Sequence, residues 1–209
     1  MLQQLQPLTD MTADYLVALL TFCFVLAFTP GPNNIMLMAS GINFGVRRTL
    51  PHAAGIQFGW PLMVLVVGLG MGQVFVVVPQ ALTILKYVSA AYMLWLAWKI
   101  AASKPQSGGE AQRGEPMTFL QAALFQWVNG KAWTMALSTV AAFAIADKPM
   151  LGVLAVVAGY FVAGLFSISA WVLFGAALRR VLTDPRWYRA INIALALSLV
   201  ASLWPMLAH

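Results

Sequence analysis

The sequence contains few charged residues. They make up 9% of its 209 residues, while hydrophobic residues make up 61%, and a soluble domain carries roughly 25% charged residues. The mean hydropathy of +0.81 is correspondingly high. This composition excludes an ordinary soluble domain and predicts an integral membrane protein with the lipid bilayer as its partner. The length suffices for one polytopic domain over residues 1–209.

Residues that commonly carry catalysis or bind metals are also scarce. The one cysteine, Cys23, excludes an internal disulfide, and the two histidines lie far apart in the sequence. The six acidic residues fall in predicted tails, connections or span ends, so no carboxylate pair is embedded in an apolar run. We therefore expect no metal site, no cofactor and no enzymatic activity.

The twelve basic residues lie mostly between hydrophobic runs and do not alternate with exposed aromatics. Nucleic acid is therefore not an expected partner. No Lys or Arg precedes Arg47, so a cleaved secretory signal is not expected.

With the N-terminus outside, nine basic residues face the cytoplasm, and the positive-inside rule then predicts that both termini lie outside. The nine are Arg47, Arg48, Lys99, Lys104, Arg113, Arg179, Arg180, Arg186 and Arg189.

Six apolar runs are long enough to cross a bilayer, which needs about 20 helical residues. These runs are 15–39, 53–78, 81–101, 118–146, 150–177 and 189–207. A polar linker over residues 103–117 divides them into repeat one, about 1–102, and repeat two, about 118–209. Three crossings in each half invert the second half relative to the first. The predicted fold class is thus an all-α membrane protein of six transmembrane helices in two inverted three-helix repeats.

The first run is interrupted by a polar, proline-rich segment, Thr29-Pro30-Gly31-Pro32-Asn33-Asn34. Two prolines around a glycine remove backbone donors and must break or kink the helix. A break at membrane depth is tolerated only where it is buried in protein or lines a polar cavity. The segment therefore predicts a binding site within the membrane.

The fourth run carries a second polar interruption, Gln126-Trp127-Val128-Asn129-Gly130-Lys131. Interruptions at corresponding positions of two halves are typical of transporter sites at a repeat interface. Lys131 near mid-helix costs roughly 2.5–3.5 kcal/mol on insertion, which favours a position facing a cavity or a partner. The alternatives are that Lys131 reaches the cytoplasmic interface or satisfies carbonyls freed by its own helix break.

These two interruptions supply the predicted substrate-binding residues. Lys131 would neutralise a carboxylate, the opened backbone would contact the substrate, and the amide side chains would supply neutral hydrogen bonds. The set is Pro30, Gly31, Pro32, Asn33, Asn34, Gln126, Asn129, Gly130 and Lys131.

Two further interpretations concern residues outside this set. His52, beside Arg47 and Arg48, is interpreted as an interfacial residue, and glycines four residues apart, such as Gly41 and Gly45, predict close helix packing.

The interruptions resemble the LysE/RhtB superfamily of amino-acid exporters. The matching segments are Thr29–Asn34, the stretch from Gly45 to Gly59, and Asn129–Lys131. The similarity covers essentially the whole chain. The segments 90–100 and 137–139 resemble the branch that exports cysteine and O-acetylserine. One position departs from the family pattern: Gly130 stands where the family usually has proline. Glycine permits a helix break but does not force one.

The resemblance implies export of small amino acids or derivatives, such as cysteine and O-acetylserine, across the bacterial inner membrane without ATP. The expected mechanism is alternating access. Two alternatives stay open: export of threonine, homoserine or leucine-type amino acids, and a non-transporting structural role. Coupling to protons and formation of a homodimer are open as well.

Overall fold

The computed structural model describes residues 12–78, 80–103, 115–182 and 184–204, and its regular structure within these ranges is helical. Short 3₁₀ turns lie at Met71–Gln73 and Gln126–Val128. The α-helices are α1 Ala13–Phe28, α2 Pro32–Gly68, α3 Val74–Val77, α4 Gln80–Ala101, α5 Phe119–Phe125, α6 Gly130–Ala142, α7 Pro149–Val181 and α8 Pro185–Ala201.

Local sequence signals set where these helices begin. Thr12 caps α1 by accepting from the Tyr15 amide at 3.2 Å. Thr118 and Gln121 form a reciprocal capping box at the start of α5. The helices α2, α7 and α8 each begin with proline, whose fixed φ suits the first helical position and whose missing N–H would have no partner there.

Two of these helices are long and apolar enough to cross a membrane, α2 and α7. The helices α4 and α8 overlap the third and sixth predicted spans. The first predicted span consists of α1 and the beginning of α2, and the fourth consists of α5 and α6, each pair being joined at a break. The arrangement as six spans in inverted repeats stays a prediction. The predictions for both chain termini and for most of the linker concern residues outside the described ranges.

Helix α2 folds back on itself at Gly45, which has φ 76° and ψ 175°. Ser40 Oγ and Thr49 Oγ1 lie 2.9 Å apart, although nine residues of straight helix would span about 13.5 Å. Asn34 and Gln57 line the same cavity. The helix is therefore a hairpin with a first arm, 32–44, and a second arm, 46–68.

The hairpin corrects two expectations from the sequence. The stretch between the first two predicted spans, 40–52, is not a loop, because it is helical on both sides of Gly45. Arg47 and Arg48 lie in the first turn of the second arm, where both are exposed. Gly45 has a second role besides close packing: its backbone conformation, accessible almost only to glycine, makes the chain reversal, while a Cβ there would lie 2.7 Å from Arg179 Nη1 of α7.

Other glycines pack helices closely, as their spacing predicts. A Cβ on Gly41 would lie 2.6 Å from the Val172 carbonyl oxygen of α7. One on Gly55 would overlap the Phe119 carbonyl oxygen of α5. These contacts place α7 and α5 directly against the two arms of the hairpin, and so position the two chain breaks beside each other.

Substituting Gly45 tests the hairpin. We expect Gly45→Ala to destabilise the protein by about 1–3 kcal/mol, because alanine is strained at this φ and ψ and its Cβ would lie 2.7 Å from Arg179 Nη1. The measurement is the apparent melting temperature in one detergent. Val46→Ala, at an exposed neighbouring position, is the matched control. Equal melting temperatures for both variants would contradict the bend.

Candidate functional site

The two chain breaks meet at a cavity of about 60 Å³. Helix α1 ends at Phe28 and α2 begins at Pro32. The second break lies at Asn129, with φ −96° and ψ 102° between the 3₁₀ turn and α6. The predicted second break is therefore present with glycine at position 130. The lining comes from α1, both breaks, the second arm of α2, α6 and α7.

A reciprocal pair of amide side chains joins the breaks. Asn33 Nδ2 donates to Gln126 Oε1 at 2.8 Å, and Gln126 Nε2 donates to Asn33 Oδ1 at 3.2 Å. Gln126 Nε2 also donates to the Ala122 carbonyl at 2.9 Å, and the Gln126 side chain is fully buried. These two predicted site residues therefore hold the breaks together, and Gln126 does not line the cavity.

Other side chains satisfy carbonyls freed at the end of α1. Asn34 Nδ2 donates to the Ala27 and Thr29 carbonyls at 2.9 and 3.0 Å. Ser167 Oγ of α7 donates to the same Ala27 carbonyl at 2.7 Å. Since open backbone groups in hydrocarbon each cost several kcal/mol, these contacts stabilise the interrupted helix.

Lys131 contacts the opposite break. Its Nζ donates to the Thr29 carbonyl at 2.7 Å and to the Pro30 carbonyl at 3.3 Å. The freed carbonyls that it satisfies thus belong to the first break rather than to its own. Gly31 leaves room for this approach, because a Cβ there would lie 2.7 Å from Lys131 Cδ. An ammonium has three donors, so one remains for a ligand.

The described lining of this cavity includes no Asp or Glu. Lys131 therefore brings a positive charge that only carbonyl dipoles and neutral amides offset. A charge in this setting favours an anionic group as its partner. The electrostatics of the cavity thus suit a carboxylate.

Two buried amide oxygens of the lining have no hydrogen-bond partner, Asn129 Oδ1 and Gln57 Oε1. Asn129 is 2% exposed and Gln57 is 7% exposed. Gln57 Nε2 donates to the Phe161 carbonyl at 2.8 Å, which fixes the side chain. Leaving a buried acceptor unpaired costs about 1–3 kcal/mol. These oxygens therefore favour a ligand that brings N–H donors.

One wall of the cavity is aromatic. Trp60 and Tyr160 pack edge to face with ring centroids 5.0 Å apart. The Tyr160 hydroxyl lies 2.7 Å from Thr139 Oγ1, which itself donates to the Met135 carbonyl. Both rings are held by these contacts and limit the size of a bound molecule.

Of the predicted site residues, six line the cavity: Gly31, Pro32, Asn33, Asn34, Asn129 and Lys131. Pro30 contributes a carbonyl to Lys131, and Gly130 begins α6. Four polar or aromatic lining residues lie outside the predicted set, Gln57, Trp60, Tyr160 and Ser167. Ser167 had a usable signal, as a polar residue in the apolar run of α7, whereas the two aromatics look like ordinary membrane residues.

Comparisons with known proteins agree with the resemblance. A family model described as LysE type translocator matches residues 24–202. The cysteine/O-acetylserine efflux proteins of Escherichia coli K12 and Shigella sonnei Ss046 are each 31% identical over 191 residues, which is 91% of this chain and 96% of theirs. No solved structure matches the chain.

A double-mutant cycle tests the amide pair. We expect Asn33→Leu and Gln126→Leu each to lower stability by about 1–3 kcal/mol, because each leaves a partner unpaired. The double variant is expected to lose less than the sum of the single losses. The measurement is unfolding in detergent, and strictly additive losses would contradict a direct contact between the breaks.

Proposed function

The chain belongs to the LysE family of translocators, and on that premise we propose that it exports small amino acids of the cysteine and O-acetylserine type by alternating access. Membership makes it a multi-pass protein of the inner membrane and an amino-acid efflux transporter. The named relatives are cysteine/O-acetylserine efflux proteins, which favours this substrate type over threonine, homoserine or leucine.

One observation carries the proposal: the same cavity holds a lysine cation and two unpartnered amide oxygens. An α-amino acid carries a carboxylate and an ammonium on one carbon. Lys131 would bind the carboxylate with its remaining donor, and Gln57 Oε1 and Asn129 Oδ1 would accept from the ammonium. Both charged ends of the substrate and both orphaned acceptors would thereby be satisfied.

The size of the cavity supports a small substrate. A volume of about 60 Å³ corresponds to roughly four to six water-sized volumes of 10–15 Å³. Trp60 and Tyr160 close one wall, so a branched or aromatic side chain would need the wall to move. A short side chain such as that of cysteine suits this space better.

Lys131 supplies a route from substrate binding to conformational change. It ties α6 to the first break through the Thr29 and Pro30 carbonyls. A substrate carboxylate on the remaining donor would draw the ammonium away from these carbonyls and weaken the tie. Binding would thereby favour the state in which the two broken helices separate, provided that state holds the substrate at least as well. In this scheme the breaks belong to two inverted repeats that move against each other.

The carboxylate contact is tested by Lys131→Met. We expect its apparent affinity for substrate to fall roughly 10- to 100-fold, since a hydrogen bond to a charged group is worth about 1.5–3 kcal/mol. The measurement is counterflow of labelled O-acetylserine in proteoliposomes at matched protein content. Lys148→Met, outside the cavity at the start of α7, is the control for loss of a lysine. Unchanged counterflow in Lys131→Met would remove Lys131 from the site.

The ammonium contact is tested with analogues that lack one charged end. Native protein should discriminate cysteine from 3-mercaptopropionate, which lacks the amine, and from cysteamine, which lacks the carboxylate. We expect Gln57→Leu and Asn129→Leu to reduce the first discrimination and Lys131→Met to reduce the second. The readout is competition against labelled counterflow under reducing conditions. Equal loss of both discriminations in all three variants would contradict these assignments.

A further inference from the structure

A second cavity lies between the first one and the bend of the hairpin. Its volume is about 160 Å³, and its lining includes Met36 and Asn43 of the first arm, His52 of the second arm, and Lys99 near the end of α4. The end of the linker contributes Glu115, Pro116 and Met117. Nothing in the substrate site described above uses these residues.

His52 is the unusual residue of this cavity. Its position beside Arg47 and Arg48 predicts an interfacial side chain, but that prediction is wrong, because His52 is only 2% exposed. Neither ring nitrogen has a hydrogen-bond partner. A neutral imidazole carries one donor and one acceptor, and leaving each unpaired costs about 1–3 kcal/mol. A polar occupant of the cavity would remove this cost.

The other buried polar side chains of the lining are already satisfied. Ser40 Oγ contacts Thr49 Oγ1 at 2.9 Å. Asn43 Nδ2 donates to Asn192 Oδ1 at 3.0 Å, and the Tyr188 hydroxyl donates to Asn43 Oδ1. Within the described lining, His52 is therefore the buried side chain left to bind an occupant.

Opposite charges stand at the exposed side of the same cavity. Lys99 and Glu115 both line it and are both exposed. Lys99 Nζ lies 4.7 Å from the Trp95 ring centroid, a contact that leaves ammonium donors for another partner. Among the described residues, neither charge forms an ion pair with the other. Together they complement a ligand with a carboxylate and an ammonium.

We propose that this cavity is a second binding station for the transported amino acid, with its charged ends at Lys99 and Glu115 and its polar side chain at His52. The inference rests on the proposed function. His52 and Gln57 lie five residues apart on the second arm, about 7.5 Å along the helix. Both cavities are lined by residues of both arms of the hairpin, and the substrate occupies them in turn.

Chemical protection at the rim tests the second station. In a Cys23→Ser background, Ser103→Cys places a thiol in the lining of this cavity, and a small neutral maleimide reports its exposure. O-acetylserine is the ligand, because it has no thiol to react with the reagent. The modification rate should fall to about a tenth when the ligand concentration is ten times its dissociation constant. Ser198→Cys, exposed on α8 outside both linings, should show no protection.

Further variants separate the second station from the first. Protection at Ser103→Cys should persist when Lys131→Met is added, and should be lost with His52→Leu but largely retained with His52→Gln, which keeps a donor and an acceptor. Protection that disappears with Lys131→Met and survives His52→Leu would overturn the station, since closure around the first cavity would then explain it. Normal counterflow without protection would also overturn the station. Absence of both counterflow and protection would instead refute the proposed function.

Discussion

The structure depends on one constraint: a helix interrupted in hydrocarbon must find partners for its freed carbonyls. Asn34, Ser167 and Lys131 provide them at the end of α1. These donors come from α2, α7 and α6, so three separate helices must converge on one break. The helices that donate to the freed backbone carbonyls thus also form the walls of the cavity.

The breaks and their charge could be predicted from the sequence because their signals are local. Proline, glycine and a lysine inside apolar runs conflict with a regular buried helix whatever surrounds them. The partner of each group could not be predicted in this way. Lys131 contacts Thr29, 102 residues away, and Asn33 contacts Gln126, 93 residues away. Such pairings depend on how the helices pack, and no period or motif in this single chain specifies them.

The hairpin shows the same division between local and tertiary information. Apolar runs on both sides of Gly45 predict two helices, but glycine alone does not distinguish a packing contact from a reversal. The positive φ at Gly45 shows that the chain reverses there. It also changes the environment of His52, since the first arm then lies against the second. A long loop would leave His52 at the membrane interface. Because the two arms are joined at the single residue Gly45, His52 is instead buried.

In the proposed scheme, the balance of charge would allow such a cavity to release its substrate. A carboxylate buried beside Lys131 would bind strongly in a medium of low dielectric constant. The carbonyls of Thr29 and Pro30 already occupy two of the three ammonium donors, so a carboxylate on the remaining donor would bind less tightly than it would to an unshared ammonium. A transporter benefits from this compromise, because a site that binds too tightly holds its substrate. In the proposed scheme, the helix break would therefore supply both the cavity and the carbonyl contacts that keep binding reversible.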